Sequence, residues 1–474
     1  MPLPDLIEIV PLKEPVRAEI TVPGSKSITN RALILAALAD GEVTLKGALW
    51  SEDTQIMTDA LRKLGFEIHV EPDPEEFCNR TIIVKGMAGK VPAGGAGRKP
   101  MELFVGNAGT AARFLAAFVC LGEGLYYLKG TDRMAVRPQA ALFKALRQLG
   151  YQIETEYGND RLPAFIEGYG PLPGAKCKVS IEKSSQFASA LLLCAGVGEW
   201  KVKVEGENAE ESPYVAMTTK MMEVFPHKGG TFQIEPDASS GSYFWAAAKI
   251  AKEPEHLEYS EQFGTSVQTK FLNSIKVRHW PTSGWQIDQK FQEMLLLSPG
   301  LAVGLDLEKE NLRSDERLLR FGFAKDKISR ITDLGDSIMT AIVLAQFSMN
   351  TVHFVDLGRL RVQETERVKA LRTEMTKCGI KVDEKGDSLI VYPTRTTELH
   401  GAEIETYDDH RMAMCFAVLG LKVLGIKIKN PACVKKTFPN FFQKLATPPP
   451  KGLGVEIRDG ITGRKLTQEE LFAD

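Results

Sequence analysis

The sequence predicts an α/β protein of two lobes, built from six strand–helix–strand–helix units with three in each lobe. Three observations carry this. A small-residue helix, a Gly turn and an alternating strand recur about six times along the chain. One helix of each unit is apolar all round and the next is amphipathic, which fits helices buried inside a ring of sheets, with the second helix facing out. Six units in 474 residues are too many for one core, so two are expected.

The units follow in order. Residues from Ser27 to Gly47 read as a helix, a Gly turn and the strand EVTLKG. Asn107 onward repeats the design as NAGTAARFLAAFVCLGEG and LYYLKG, and Ser184 onward as SSQFASALLLCAGVGEW and KVKVEG. Asp237 opens DASSGSYFWAAAKIA, followed by a weaker strand around HLEYS. Asp336 opens DSIMTAIVLAQFSMN before TVHFVDLG, and Asp409 opens DHRMAMCFAVLGLKVLG before IKIKN. These helices open on Ser, Asn or Asp, the residues that cap helix starts. The second helices are DTQIMTDALRKLG, RPQAALFKALRQLG, PYVAMTTKMMEVF, SVQTKFLNSI, ETERVKALRTEMTKCG and the short FPNFFQKLA. The expected lobes are 22–238, and 1–21 with 239–446, hinged near 20–22 and 237–241. Residues 286–330 are irregular and charge-rich and stand outside the pattern. Residues 447–474 open with PPPKG and are expected as a loosely ordered C-terminal tail.

A formal net charge of −2 argues against general binding to nucleic acid or to an anionic membrane, so any cationic site is local. The first residues, MPLPDLIEIVPLKEP, show no basic region followed by an apolar run, and no signal peptide is expected. No stretch of about twenty uncharged apolar residues suggests a membrane span. Seven cysteines, scattered and without CxxC pairs, point to reduced thiols in a cytoplasmic protein with no zinc site.

Polar and cationic residues concentrate at the helix starts. PGSKSITNR, Pro23 to Arg31, runs straight into ALILAALA, placing Lys26, Ser27 and Arg31 at a helix start with free N–H groups and partial positive charge. GNAGTAA is followed by Arg113, and Arg133 and Arg137 lie in GTDRMAVRP. Ser184, Ser185 and Gln186 open the third unit and Asp336 the fifth. Arg361, Glu364 and Arg367 lie in RLRVQETER. Asp409, His410 and Arg411 open the sixth unit, with Lys435 and Lys436 following in VKKTFP. GSKS is not a nucleotide P-loop, because Ser25 precedes the Lys and the upstream Gly is missing. If the helix starts of both lobes point into one cleft, it holds many cations and two or three carboxylates, suited to substrates with several negative charges.

PGSKSITNRALILAAL, GNAGTAARFLAA, DRMAVRPQAALFKALRQLG, SSQFASALL, DASSGSYFWAAA, DSIMTA, RVQETERV, DDHRMAM and KKTFPNFF together resemble the 5-enolpyruvylshikimate-3-phosphate synthase (3-phosphoshikimate 1-carboxyvinyltransferase) family. The match runs in order from about residue 8 to about residue 445. The sister UDP-N-acetylglucosamine enolpyruvyl transferases are similar in fold, but their GAKN-type start and catalytic-loop cysteine are not seen here.

The resemblance implies the enolpyruvyl transferase fold, a two-lobed inside-out α/β barrel of six βαβαββ units, three per lobe, with the active site where the helix starts converge. It implies transfer of the enolpyruvyl group of phosphoenolpyruvate to the 5-hydroxyl of shikimate 3-phosphate with release of phosphate, in the shikimate route to aromatic amino acids. The partners are then two small anionic substrates, with no metal, no organic cofactor, no nucleic acid and no membrane, and a monomer is expected. Catalytic roles fall on Lys26, Asp336, Glu364, His410 and Lys436. Phosphoenolpyruvate contacts fall on Lys26, Asn107, Gly109, Thr110, Arg137, Gln186, Arg367, Arg411 and Lys436. Shikimate 3-phosphate contacts fall on Lys26, Ser27, Arg31, Ser184, Ser185, Gln186, Tyr214, Asp336, Arg359 and Gln363. Two carboxylates and a lysine match a reaction in which a hydroxyl loses a proton and a methylene carbon gains one. Gly109 stands where some herbicide-tolerant relatives carry Ala.

Three positions depart from the family pattern, all beside the acceptor. Gln363 stands where a Lys is usual, Arg359 where an Asn is usual, and Glu211-Ser212 where Ser and a basic residue usually precede Pro213-Tyr214. Arg359 is expected to replace the missing lysine charge, while Glu211 would repel a phosphate unless turned away. An enolpyruvyl transferase acting on a different acceptor alcohol is the alternative.

Overall fold

The computed structural model describes residues 3–14, 16–92, 94–96, 99–206, 212–250, 275–295 and 322–473. Glu211, the HLEYS strand and most of the SVQTKFLNSI helix lie outside them. The chain divides into two compact units, one of Pro23–Asp237 with Thr282–Gln286, the other of Met1–Val22, Ala238–Pro281 and Ile287–Asp474.

In the first unit, Met101–Phe104 runs parallel to Glu123–Lys129, which pairs antiparallel with Ala164–Tyr169, itself antiparallel to Gln152–Thr155. The Gly109–Phe118 helix joins the parallel pair, and Ala140–Leu149 leads into the antiparallel pair. The same order recurs as Gly230–Gln233, Glu42–Leu49, Asn79–Lys85 and Ile68–Pro72. Here the parallel edge strand comes from the far end of the unit, so the chain closes on its own first sheet. Lys176–Ser180 and Lys201–Glu205 form a parallel pair around the Gln186–Gly198 helix.

The second unit repeats the plan. Lys327–Ser329, Val352–Val355, Ser388–Val391 and Val382–Lys385 form one four-stranded sheet, and Glu403–Ile404, Ile426–Lys429, Leu6–Ile9 and Ile457–Asp459 another. Ala18–Ile20 pairs parallel with Ile275–Val277.

The helices inside each unit are buried because most of their side chains are small or apolar, and a charged one such as Arg31 finds its partners inside the unit. Every residue from Ile28 to Leu38 is buried in Lys26–Leu38, and so are Gly109–Phe118, Ile338–Leu344 and His410–Gly420 along their whole lengths. Runs such as Ala36-Ala37 and Ala116-Ala117 let neighbouring backbones approach closely. Gln186–Gly198 departs from this: Gly196 is exposed and Leu192, Ala195 and Val197 are half-buried, because the two-stranded sheet beside it covers less than the four-stranded sheets do. All seven cysteines are buried and free.

Two expectations need correction. Residues 447–474 are not a loose tail. Ile457–Asp459 adds a strand beside Leu6–Ile9, and Leu453, Val455, Leu466, Leu471 and Ala473 are buried in the core of the second unit. Residues 286–330 are not wholly outside the pattern. Lys327–Ser329 is the parallel edge strand of the fifth unit, and the short turns Ile287–Lys290 and Phe291–Met294 pack against the Ala238–Ile250 helix.

Candidate functional site

The capping role expected of the helix-start residues is met at Asp409 and, by a longer bond of 3.3 Å from the Gln186 N–H, at Ser184. Asp409 caps His410–Gly420 by accepting from the Arg411 N–H at 2.9 Å. Ser25, Ser185 and Ser337 precede their helices without a side-chain capping bond, and Ala108 has no side chain to cap with. First-turn N–H groups not claimed by a cap remain suited to an anion.

In the first unit, a hydrogen bond joins two of the helix starts and an ion pair holds a third. Lys26 is the first residue of its helix, and its Nζ sits 2.9 Å from Asp53 Oδ2. Gln186 Nε2 donates to Thr110 Oγ1 at 3.2 Å, joining the second and third helix starts. Arg137 Nη1 donates to the Asn107 carbonyl at 3.0 Å and to its Oδ1 at 3.3 Å. Gly109 is glycine for want of room: a Cβ there would lie 2.6 Å from Arg137 Nη2 and 2.5 Å from Arg113 Nη1. The site residues Ser184 and Ser185 precede this third helix; Ser185 is buried, and Ser184 Oγ accepts from the Gln186 N–H.

Arg31 is buried and largely engaged within the unit. It donates to Thr218 Oγ1 at 2.8 Å, the Ser27 carbonyl at 2.8 Å, Ser189 Oγ at 2.9 Å and the Tyr214 carbonyl at 3.3 Å, over the Phe114 ring. Burial pulls its pKa down to about 10, so it stays cationic at neutral pH. Ser27 and Tyr214 meet it through their carbonyls, while the Tyr214 ring is half-buried.

The second unit holds the carboxylates in a lattice of cations. Asp336 Oδ1 accepts from Arg330 Nη2 at 2.7 Å, and Oδ2 lies 3.0 Å from Arg411 Nη2. Burial alone would raise the Asp336 pKa, but Arg411, then Arg330 and Arg367, outweigh it against the opposing Glu364, holding the carboxyl well below the usual range. Glu364 Oε2 is 2.9 Å from Arg367 Nη2 and Oε1 is 3.4 Å from Lys436 Nζ. Arg367, with 1% of its side chain exposed, also binds Asp409 through Nε at 2.7 Å and Nη2 at 3.1 Å, and donates to Gln363 Oε1 at 2.5 Å. Burial would lower its pKa, but Asp409 and Glu364 drive it above the usual guanidinium value. His410 is buried beside Asp409, with Nδ1 3.9 Å from Oδ1. Arg359 is half-buried on the short helix Leu357–Val362.

Asp336, Glu364, Arg367, Arg411, His410 and Lys436 thus gather in one unit, and Lys26, Asn107, Gly109, Thr110, Arg137 and Gln186 in the other. Three cations from the helix-start census fall elsewhere. Arg361 turns to Glu366, Glu384 and Asp387, whose bonds raise its pKa although burial opposes them. Arg133 and Lys435 are exposed.

Three charged residues escape a sequence reading. Asp53, 4% exposed, holds Lys26. Arg330 holds Asp336. Asp288 fixes the turn that carries Asp336: its Oδ1 accepts from the Gly335 N–H at 2.8 Å, the Ser337 N–H at 3.0 Å and Ser337 Oγ at 2.5 Å, and its Oδ2 from Ser239 Oγ at 2.6 Å. Among the described residues no cluster of His, Cys, Asp or Glu is arranged to hold a metal ion, and no helix is long and apolar enough to cross a membrane.

The family model for EPSP synthase (3-phosphoshikimate 1-carboxyvinyltransferase) matches residues 11–445. A 3-phosphoshikimate 1-carboxyvinyltransferase of Nostoc sp. is 34% identical over 461 residues, covering 93% of this chain and 99% of the relative. The chloroplastic one of Solanum lycopersicum is 35% identical over 470 residues, covering 93% and 84%. The crystal structure of EPSP synthase from Acinetobacter baumannii shares the fold with a TM-score of 0.69 at 21% identity, covering 96% of this chain and all of that one. The enolpyruvyl transferase NikO from Streptomyces tendae does so with a TM-score of 0.60 at 14% identity, covering 97% and 99%.

Proposed function

The chain belongs to the EPSP synthase (3-phosphoshikimate 1-carboxyvinyltransferase) family, and on that premise we propose that it transfers the enolpyruvyl group of phosphoenolpyruvate to the 5-hydroxyl of shikimate 3-phosphate and releases phosphate. The observation that carries the assignment of roles is the pair of carboxylates, Asp336 and Glu364, each held between cations that suit anionic substrates. Incubation with both substrates, following phosphate, tests it: release depends on shikimate 3-phosphate, and release at the same rate without it would refute the transfer.

The chemistry needs a proton removed from the acceptor hydroxyl as its oxygen bonds to C2 of phosphoenolpyruvate, and a proton delivered to the methylene carbon, which becomes a methyl group. Loss of a methyl proton then restores the double bond as the C–O bond to phosphate breaks. Asp336, ionised, suits the hydroxyl proton. Glu364, against Lys436, suits the proton that enters and leaves the carbon. For the carboxylate and phosphate of phosphoenolpyruvate the second unit offers Arg367, Arg411 and Lys436, and the first unit offers Lys26 and Arg137. Arg411 turning to that anion would release Asp336 Oδ2 and make the carboxylate a better base. For the acceptor the first unit offers Lys26, Ser27, Arg31, Ser184, Ser185, Gln186 and Tyr214, and the second unit offers Asp336, Arg359 and Gln363. The same proposal takes the chain as a cytoplasmic monomer needing no metal or organic cofactor; its buried free thiols support the reducing compartment.

Gly109→Ala drives a methyl group into Arg137 and Arg113. Both contacts are ends of flexible side chains, so the fold survives while the anion-binding guanidinium moves. The KM for phosphoenolpyruvate is expected to rise about tenfold, the scale of a misplacement below 1 Å. Glyphosate, competing for the same pocket, loses at least as much potency; equal inhibition of both forms would contradict this.

Gln363 accepts from Arg367 and brings no charge to the acceptor. If Arg359 supplies that charge, Arg359→Ala weakens shikimate 3-phosphate binding by about tenfold or more and leaves phosphoenolpyruvate binding nearly unchanged. An unchanged acceptor KM would instead favour a different acceptor alcohol.

A further inference from the structure

We propose that Arg330 is a positioning residue, which fixes the Asp336 carboxylate for proton transfer with the acceptor hydroxyl. The proposal rests on the role just given to Asp336. Two restraints on Asp336 are already in place. Asp288 ties the N–H groups of Gly335 and Ser337 on either side of it, which fixes its main chain. Arg411 reaches Oδ2 at 3.0 Å, but Arg411 is also a ligand for the phosphoenolpyruvate anion, so its hold is shared once substrate binds. Arg330 is the cation that stays on Oδ1, at the shorter distance of 2.7 Å.

The placement of Arg330 fits this duty better than one of general stability. It follows the edge strand Lys327–Ser329, and its N–H donates to the Val355 carbonyl at 3.1 Å, so its main chain continues the sheet. The loop from there to Asp336 is pinned by Asp333, which takes the Ser329 N–H at 2.9 Å and Lys325 Nζ at 2.6 Å. The Arg330 side chain is 5% exposed, yet among the described residues its Nε has no acceptor. A buried donor without a partner is costly, and a guanidinium serving packing alone would satisfy it. Here the side chain is held toward one carboxylate instead. Among the described residues the other charged groups acting on that carboxylate include Arg411, Arg367 and Glu364, with Asp288 acting through the backbone.

A double-mutant cycle on the full chain tests this, with Arg330→Met, Asp336→Asn and the double variant compared by steady-state phosphate release and, for slow variants, by single-turnover reactions. Arg330→Met is expected to lower kcat about tenfold or more, with both KM values within about threefold. Arg330→Lys, which keeps the charge, recovers most of the loss. In the Asp336→Asn background, Arg330→Met costs less than about twofold, because its partner is already gone. The same tenfold loss in that background would overturn the proposal, as would an unchanged kcat in Arg330→Met alone. Near-normal turnover in Asp336→Asn would refute the role of Asp336 itself. Should Arg330→Met fail to fold, Arg330→Gln carries the same cycle.

Discussion

Replacing Glu364 with glutamine lowers turnover by about two orders of magnitude or more, the scale of a general acid–base group. The change is nearly isosteric. The amide oxygen can keep the 2.9 Å contact with Arg367, while the NH₂ cannot accept from Lys436, which loses its weaker 3.4 Å contact. Arg367 therefore stays in place, and both KM values change only severalfold. What disappears is the group that gives and takes a proton. Turnover within about twofold of the parent would remove Glu364 from the chemistry.

Arg367→Met destabilises the second unit by about 3–5 kcal/mol, the usual result of removing one partner from a buried ion pair. Arg367 is the hub that neutralises Asp409, which has no exposed side-chain surface, and Glu364. Without it Asp409 retains the Arg411 N–H but loses its guanidinium. Urea unfolding should show the midpoint falling accordingly. Replacing Asp409 with leucine in the same chain recovers most of the stability, because the stranded charge is gone, but no activity, because the anion site is gone too. A midpoint unchanged in Arg367→Met would mean that the lattice contributes nothing to folding.

The buried helices and their polar starts are legible in sequence because both signals are local. An all-apolar run such as ALILAALA, 32–39, can only be interior, and Lys26 or Arg411 beside such a run stands out. What was hidden depends on partners far apart in the chain. Ile457–Asp459 has little strand character of its own and is a strand because Leu6–Ile9 is there to pair with it; the prolines before it read as a loose tail. Lys26 and Asp53 are 27 residues apart, and Asp288 and Ser337 are 49 apart, so no spacing rule joins them. Arg330 is only six residues from Asp336, but an arginine in a charge-rich loop carries no mark of burial. Arg361 shows the converse: it looked like its neighbour Arg367, yet Glu384 and Asp387 on the adjoining hairpin turn it outward. The meaning of Gln363 also needed the fold, since only there does its carbonyl meet Arg367.

The most direct measurement supplies phosphoenolpyruvate labelled with carbon-13 in its three carbons together with shikimate 3-phosphate, and follows the label by NMR. The label is expected in an enolpyruvyl ether on the acceptor, with one phosphate released for each ether formed. Label recovered only as phosphoenolpyruvate or pyruvate, with the acceptor unmodified, would contradict the transfer.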